Sequence, residues 1–220
     1  MPSIPISLQD DRNRLRHSFR LAAAFVALLW VTRSAEVVFH LELVRYGVYP
    51  LQPGGLVGIL AGPLIHGSWS HLFANTLPII ILGTALLYGY PKSAKTVLAT
   101  VYLGSGLGVW LFARDAYHIG ASGLTFGVMF FLFVVGSLRW DKRAIALSMI
   151  VFFLYGSMIW GIFPLEPGIS FESHFFGAVI GVVMAIVLKN RDPAPVEQTY
   201  SWEDETDEEA NEADEKSLIP

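Results

Sequence analysis

The stretch that organises the chain is His118-Ile119-Gly120-Ala121-Ser122-Gly123-Leu124, which leads into an apolar run ending near Leu138. A serine flanked by glycines thus enters a segment whose other side chains suit the hydrocarbon core of a bilayer. Polar residues at such positions indicate either helix packing or a functional site. Ser122 is therefore the residue from which we interpret the rest of the sequence.

The composition is typical of a membrane protein. Of the 220 residues, 53% are hydrophobic and only 15% are charged, whereas soluble proteins carry about 25% charged residues. The chain has no cysteine, which excludes disulfides, thiolate metal ligands and cysteine nucleophiles. The net charge of −4 comes from an acidic C-terminal tail, and the remaining body is mildly basic. Composition gives no hint of an acidic ligand, and no nucleic-acid partner is expected.

Apolar segments of membrane-spanning length occur at about 19–39, 70–90, 94–113, 122–138, 144–162 and 171–188. They predict an all-α polytopic membrane protein whose six-span domain covers 19–190. Residues 1–18 form an N-terminal segment, and 191–220 form an acidic tail too polar to fold alone. The connection from 40 to about 66 holds no span, yet it is too apolar for a solvated loop, so we expect it in the membrane interface.

Charge distribution predicts the orientation in the membrane. Six spans place both termini on one side, and twelve of the 15 Lys and Arg residues lie on that side. Connections rich in positive charge are typically cytoplasmic. The sequence therefore predicts a multi-pass protein of the cytoplasmic membrane with both termini in the cytoplasm. Within the first span, Arg33 and Glu36 share a helix face and can form a structural ion pair.

Two further motifs lie at the outer ends of their spans, as Ser122 does. One is His66-x4-His71-x3-Asn75 at the second span, and the other is His174-x2-Gly177-x3-Gly181 in the sixth. Three distant segments thus bring polar groups to one membrane depth. The fourth span is short, which indicates that Ser122 lies below the membrane surface.

Small residues predict close contact between the fourth and sixth spans. Each span carries a small-xxx-small pair, a spacing that lets helix backbones approach: Gly123 and Gly127 in one, Gly177 and Gly181 in the other. Such contact would bring the Ser122 hydroxyl within hydrogen-bond reach of His174. Serine needs a base to act as a nucleophile, and histidine suits proton transfer near neutral pH.

The sequence places no carboxylate to orient His174. Glu172 lies two residues away on another helix face, and the other nearby carboxylates are in loops. The pattern therefore predicts a Ser-His dyad in which packing holds the imidazole. Phe126, four residues after Ser122 on the same face, could stack on that ring or could simply pack against lipid or the core.

Donors for a developing oxyanion could come from the second span. His71 and Asn75 lie on one face of it, and they could act together with the backbone N–H of Ser122. Two alternatives stay open: both residues could merely satisfy buried polar groups, or His66, His71 and His174 could bind a metal. The metal alternative leaves Ser122 unexplained and lacks a His-Glu-x-x-His run. We therefore predict neither a metal nor a cofactor.

In this order over six spans, the three motifs resemble those of the rhomboid family of intramembrane serine proteases, over about residues 20–190. The resemblance implies a six-transmembrane-helix rhomboid-like bundle in which Ser122 is the nucleophile and His174 the base and later the acid. It implies oxyanion donors at His71 and Asn75 and a structural role for His66. The supporting positions are Gly120, Gly123, Phe126, Gly177 and Gly181.

The chain departs from the family pattern at two places. Val57-Gly58 stands where the first outer loop often carries Trp-Arg, and Phe126 stands where tyrosine is common; neither change touches the reacting groups. The implied function is a serine endopeptidase that cleaves single-span membrane proteins near the outer leaflet. These substrates and membrane lipids are its expected partners, and the oligomeric state is left open. The alternative is a non-catalytic relative that binds membrane helices for trafficking or quality control.

Overall fold

The structure is a computed structural model of the chain, and it describes residues 8–165 and 168–193. From residue 194 onward, the predicted acidic tail lies outside the described residues. In the described part, six helices are long and apolar enough to cross a membrane, as the sequence predicts. They are α1 (Leu8–Val38), α2 (Trp69–Gly89), α3 (Ala94–Phe112), α4 (Ser122–Arg139), α5 (Lys142–Tyr155, continued by a 3-10 helix at Gly156–Ile162) and α6 (Phe171–Leu188).

Helix α1 begins well before the apolar run that predicts the first span. Asp10 and Asp11 lie in its first turn, where negative charge is favourable to a helix. The Tyr88 hydroxyl at the end of α2 donates to Asp11 at 2.7 Å, so the polar start of α1 packs against the neighbouring span. Farther along α1, the predicted ion pair between Arg33 and Glu36 is present at 2.6 Å.

The connection between α1 and α2 contains no spanning helix, as predicted. It folds into short turns at Leu43–Tyr46, Pro53–Val57, Gly58–Ala61 and Gly62–Leu64. Val48 pairs with His118 through two backbone hydrogen bonds of 2.9 and 2.8 Å. The connection is therefore joined to the loop that leads into Ser122.

Helix α4 is the centre of the bundle. It packs against α2, α3, α5 and α6, and most extensively against α6. Phe131, Leu132 and Val135 on α4 are completely buried, so the middle of this helix is surrounded by protein. The residue at its start, Ser122, is therefore placed by contacts with four neighbouring helices.

The close contact predicted between α4 and α6 is confirmed. A Cβ atom built on Gly177 would collide with the Gly123 carbonyl, and one built on Gly181 would collide with the Gly127 carbonyl. The two backbones thus touch at both small-residue pairs. Any larger side chain at these positions would force the helices apart.

Helix α5 differs from the continuous span that the apolar run predicts. The α-helix ends at Tyr155, and the chain continues as a 3-10 helix over Gly156–Ile162. Gly156 and Gly161 are weak helix formers, and 3-10 turns are frequent at helix ends. This irregular end brings the Gly161 carbonyl to the imidazole of His174.

Candidate active site

Ser122 is the first residue of α4, and a glycine turn delivers it there. Gly120 has φ = +107°, a conformation that residues with a Cβ rarely adopt. Its N–H donates to the Gly62 carbonyl at 2.9 Å. A Cβ at Gly120 would also overlap the His71 imidazole. The predicted supporting role of Gly120 therefore has a physical basis in both its φ angle and its contact with His71.

Ser122 and His174 form a hydrogen bond in the structure. His174 lies in the first turn of α6 and is 7% exposed, and its Nε2 is 2.8 Å from Ser122 Oγ. Its Nδ1 is 2.8 Å from the Gly161 carbonyl oxygen. Because a carbonyl can only accept, Nδ1 carries the hydrogen and Nε2 accepts from the serine hydroxyl. This is the tautomer that a general base for Ser122 requires.

Phe126 stacks on the His174 ring. The ring centroids are 4.1 Å apart and the planes differ by 5°. Phe126 is also buried in the apolar core of the bundle, so it makes both of the contacts that the sequence allows. Gly161 lies against both rings, since a Cβ there would meet Phe126 Cζ at 2.8 Å and His174 Nδ1 at 3.2 Å. The imidazole is thus held by a ring on one side and by a backbone carbonyl at its Nδ1.

Glu172 does not contact the His174 ring nitrogens. Its carboxylate binds Arg114, whose Nη1 lies 3.1 Å from Glu172 Oε1. The two ring nitrogens of His174 instead contact Ser122 and Gly161. The imidazole is therefore held by packing and by a peptide carbonyl beside Ser122, and the Ser-His dyad stays a prediction.

The second-span motif lies beside the dyad. The His71 ring contacts Gly120, two residues before Ser122, through its Cε1 and Nε2 atoms. Asn75 is buried, and its Nδ2 donates to the His71 carbonyl at 3.0 Å. That bond uses one of the two amide hydrogens. The role of His71 and Asn75 as oxyanion donors stays a prediction.

His66 is almost completely buried, with its ring centroid 4.9 Å from that of His71. Burial, reinforced by the nearby charges of His71 and Arg33, lowers the pKa of His66 to about 4. The side chain is therefore neutral at physiological pH and is buried at the end of the connection between α1 and α2. Within residues 8–165 and 168–193, no three His, Asp or Glu side chains form a cluster that could hold a metal ion.

Two features of the site have no counterpart in the sequence interpretation. The Gly161 carbonyl is a backbone group, and no residue type reveals it. His118 is 4% exposed, and it binds Ser170 Oγ through Nδ1 at 2.6 Å. The only clue to His118 in the sequence is its position, four residues before Ser122 in the loop that leads into that serine.

The sequence of the chain is similar to a known protein family and to proteins of two mycobacteria. The chain matches the family model described as Rhomboid domain over residues 53–191. An uncharacterised protein of Mycobacterium tuberculosis is 36% identical over 196 residues, which cover 85% of this chain and 82% of the relative. An uncharacterised protein of Mycobacterium leprae is 32% identical over 176 residues, covering 74% of this chain and 68% of the relative.

Proposed function

This chain belongs to the rhomboid family, and we propose that it is an intramembrane serine endopeptidase that cleaves membrane proteins with Ser122 and His174. The observation that carries the proposal is the 2.8 Å hydrogen bond between Ser122 Oγ and His174 Nε2. The His174 tautomer set by the Gly161 carbonyl supports it further, because the lone pair of Nε2 faces the serine hydroxyl.

The reaction begins when Ser122 Oγ attacks the carbonyl carbon of a substrate peptide bond and His174 Nε2 takes the hydroxyl proton. The tetrahedral intermediate collapses as His174 returns that proton to the leaving nitrogen, and an acyl-enzyme remains on Ser122. A water molecule then gives a proton to His174 and attacks the ester. When the second intermediate collapses, the proton returns to Ser122 and the carboxyl product leaves.

The negative charge of each intermediate needs hydrogen-bond donors. The backbone N–H of Ser122 is at the N-terminus of α4, where unpaired N–H groups and the helix dipole favour an anion. Asn75 has a second amide hydrogen beyond the one that it donates to the His71 carbonyl. The His71 ring, which lies against Gly120, is the third donor in this proposal.

The substrates that we propose are single-span membrane proteins. The chain is a multi-pass membrane protein of the rhomboid family, so its reacting groups meet peptide bonds at membrane depth. We propose that a substrate helix enters past α2 and α5, which contact each other over a small area, and unwinds locally before attack. The excess of Lys and Arg on the side of the termini supports cytoplasmic termini and cleavage near the outer leaflet.

Co-expression with tagged single-span proteins tests the proposal. The wild-type chain is expected to release a shorter fragment, and Ser122→Ala is expected to abolish cleavage. Ser137→Ala, a second serine-to-alanine change on the exposed side of α4, serves as the matched control and should cleave normally. The non-catalytic alternative makes the opposite prediction, since such a protein would bind the helices and leave them intact in all three forms.

A further inference from the structure

A second polar cluster lies beside the proposed dyad and shares none of its residues. It joins the loop between α3 and α4 to the first turn of α6. Two of its side chains are almost completely buried: Glu172 is 6% exposed and His118 is 4% exposed. The members of this cluster, which we call the clamp, are Arg114, His118, Ser170, Glu172 and Ser173.

The ion pair of the clamp connects the loop to α6. Arg114 Nη1 is 3.1 Å from Glu172 Oε1 and 3.2 Å from Oε2. Arg114 Nη2 also donates to the Ile169 carbonyl at 2.7 Å. One guanidinium thus binds both the segment before α6 and the first turn of α6. Glu172 is the buried partner and Arg114 is partly exposed, so removing Arg114 would leave a buried carboxylate without this ionic contact, which is costly.

His118 provides the second connection. Its Nε2 is 3.0 Å from the Arg114 carbonyl oxygen, so Nε2 carries the hydrogen and Nδ1 accepts from the Ser170 hydroxyl at 2.6 Å. Ser170 Oγ in turn lies 2.9 Å from Ser173 Oγ and accepts from the Ser173 N–H at 3.4 Å. The N-terminal cap of α6 is therefore held by the loop that leads into Ser122.

The same loop is fixed on its other side. His118 pairs with Val48 through two backbone hydrogen bonds of 2.9 and 2.8 Å, and the Gly120 N–H donates to Gly62 at 2.9 Å. Glu172 is two residues before His174, and His118 is four residues before Ser122. The clamp thus binds the two segments that carry the proposed base and nucleophile, at the end of the bundle where these residues meet.

We infer that Glu172, through Arg114 and with His118, positions the His174 imidazole relative to Ser122 Oγ. This inference rests on the proposed serine-protease function, since it assigns the clamp to the alignment of that dyad. Glu172 is a positioning residue because it touches neither Ser122 nor the His174 ring nitrogens. Proton transfer tolerates little misalignment, and displacement by about 1 Å can slow an enzyme about 100-fold.

The test compares Glu172→Ala, Glu172→Gln and Arg114→Ala with the wild type in detergent micelles. Three quantities are measured for each: the thermal midpoint, the rate at which a fluorophosphonate labels the folded protein, and kcat and KM for a model membrane substrate. Glu172→Ala should lower the labelling rate and kcat by about tenfold or more with little change in KM. Glu172→Gln keeps an acceptor for Arg114 and should recover most of the loss.

The double variant R114A/E172A should be no slower than E172A alone, because the two side chains act as one unit. Glu42→Ala is the matched control, since Glu42 is an exposed glutamate of the connection between α1 and α2, and it should behave as wild type. If Glu172→Ala does not fold, Arg114→Ala carries the test, because the Arg114 side chain is 44% exposed.

Two results would overturn the inference. One is labelling of Glu172→Ala and Arg114→Ala at the wild-type rate; the other is a lowered thermal midpoint with unchanged labelling per folded molecule, which assigns the clamp to stability alone. A wrong functional proposal would give a different result from a wrong assignment of the clamp. In that case the wild-type chain itself is neither labelled nor active, whatever stands at residue 172.

Discussion

His174 Nε2 lies 2.8 Å from Ser122 Oγ although the two residues are 52 positions apart in the chain. Helices α4 and α6 bring them together because the backbones touch at two glycine pairs, Gly123 with Gly177 and Gly127 with Gly181. The Gly161 carbonyl fixes the hydrogen on Nδ1, and Phe126 covers the ring face. The Ser122 hydroxyl thus meets the His174 ring nitrogen that carries no hydrogen, Nε2.

Gly177→Ala should separate α4 from α6. Its new Cβ would collide with the Gly123 carbonyl, and overpacking of this kind costs about 1–3 kcal/mol. We expect a lower thermal midpoint and a large loss of cleavage, because the Ser122–His174 distance increases with the helix separation. Gly54→Ala is the control, since nothing lies within 4 Å of a Cβ at Gly54. Wild-type cleavage by Gly177→Ala would contradict the contact.

Phe126→Leu tests the stacked ring. The variant keeps an apolar side chain and removes a ring 4.1 Å from the His174 centroid. Aromatic pairs contribute about 0.5–1.5 kcal/mol beyond their buried area, so we expect cleavage to slow roughly 2- to 10-fold. Phe39→Leu, at a side chain that is 70% exposed, should leave the rate unchanged. An equal effect of both variants would mean that stacking does not contribute.

His66 should make the protein less stable in acid. Burial lowers its pKa from 6.5 to about 4, so the unfolded chain binds a proton at a higher pH than the folded chain does. Above pH 6.5 this histidine does not reduce the free energy of unfolding. As the pH falls from 6.5 toward 4, protonation of the unfolded chain lowers that free energy by about 3 kcal/mol in total. His66→Phe removes this titration, and its thermal midpoint should fall less than that of the wild type between pH 7.5 and 4.5. Parallel midpoint curves for the two proteins would contradict the prediction.

Asp192→Ala should lower stability without changing catalysis. The Asp192 carboxylate, just after α6, accepts hydrogen bonds from Lys92 N at 2.7 Å, Ser93 N at 3.1 Å and Ser93 Oγ at 2.5 Å. Losing a buried charged acceptor of this kind costs about 2–3 kcal/mol. Because these contacts lie at the far end of α6 from His174, kcat at 25 °C should stay within about twofold of wild type. Asp115→Ala, at an exposed aspartate, is the control for the thermal midpoint.

The sequence predicts the spans closely because hydrocarbon selects long apolar runs with few charges, and that signal is local. It also predicts the α4–α6 contact, since the small residues that allow it recur at helical spacing. The start of α1 at Leu8 is less visible. There a polar segment becomes helical through tertiary contacts such as that between Asp11 and Tyr88.

Other parts of the site cannot be predicted from the pattern of residue types in the sequence. The Gly161 carbonyl meets His174 because α5 changes to a 3-10 helix at Gly156, and apolar periodicity cannot distinguish these two helix types. The partners of His118 and Glu172 come from other segments of the chain. Their pairing depends on how the loops fold over the bundle, for which the sequence carries no short-range signal.

Covalent labelling tests whether Ser122 is a nucleophile that His174 activates. The purified wild-type protein is treated with a fluorophosphonate, and the modified residue is identified by peptide mass spectrometry. We expect one phosphonylated residue, Ser122, with labelling abolished by Ser122→Ala, strongly reduced by His174→Ala and unchanged by Ser137→Ala. Absence of an adduct on the folded wild-type protein, or equal labelling of the His174→Ala variant, would contradict it.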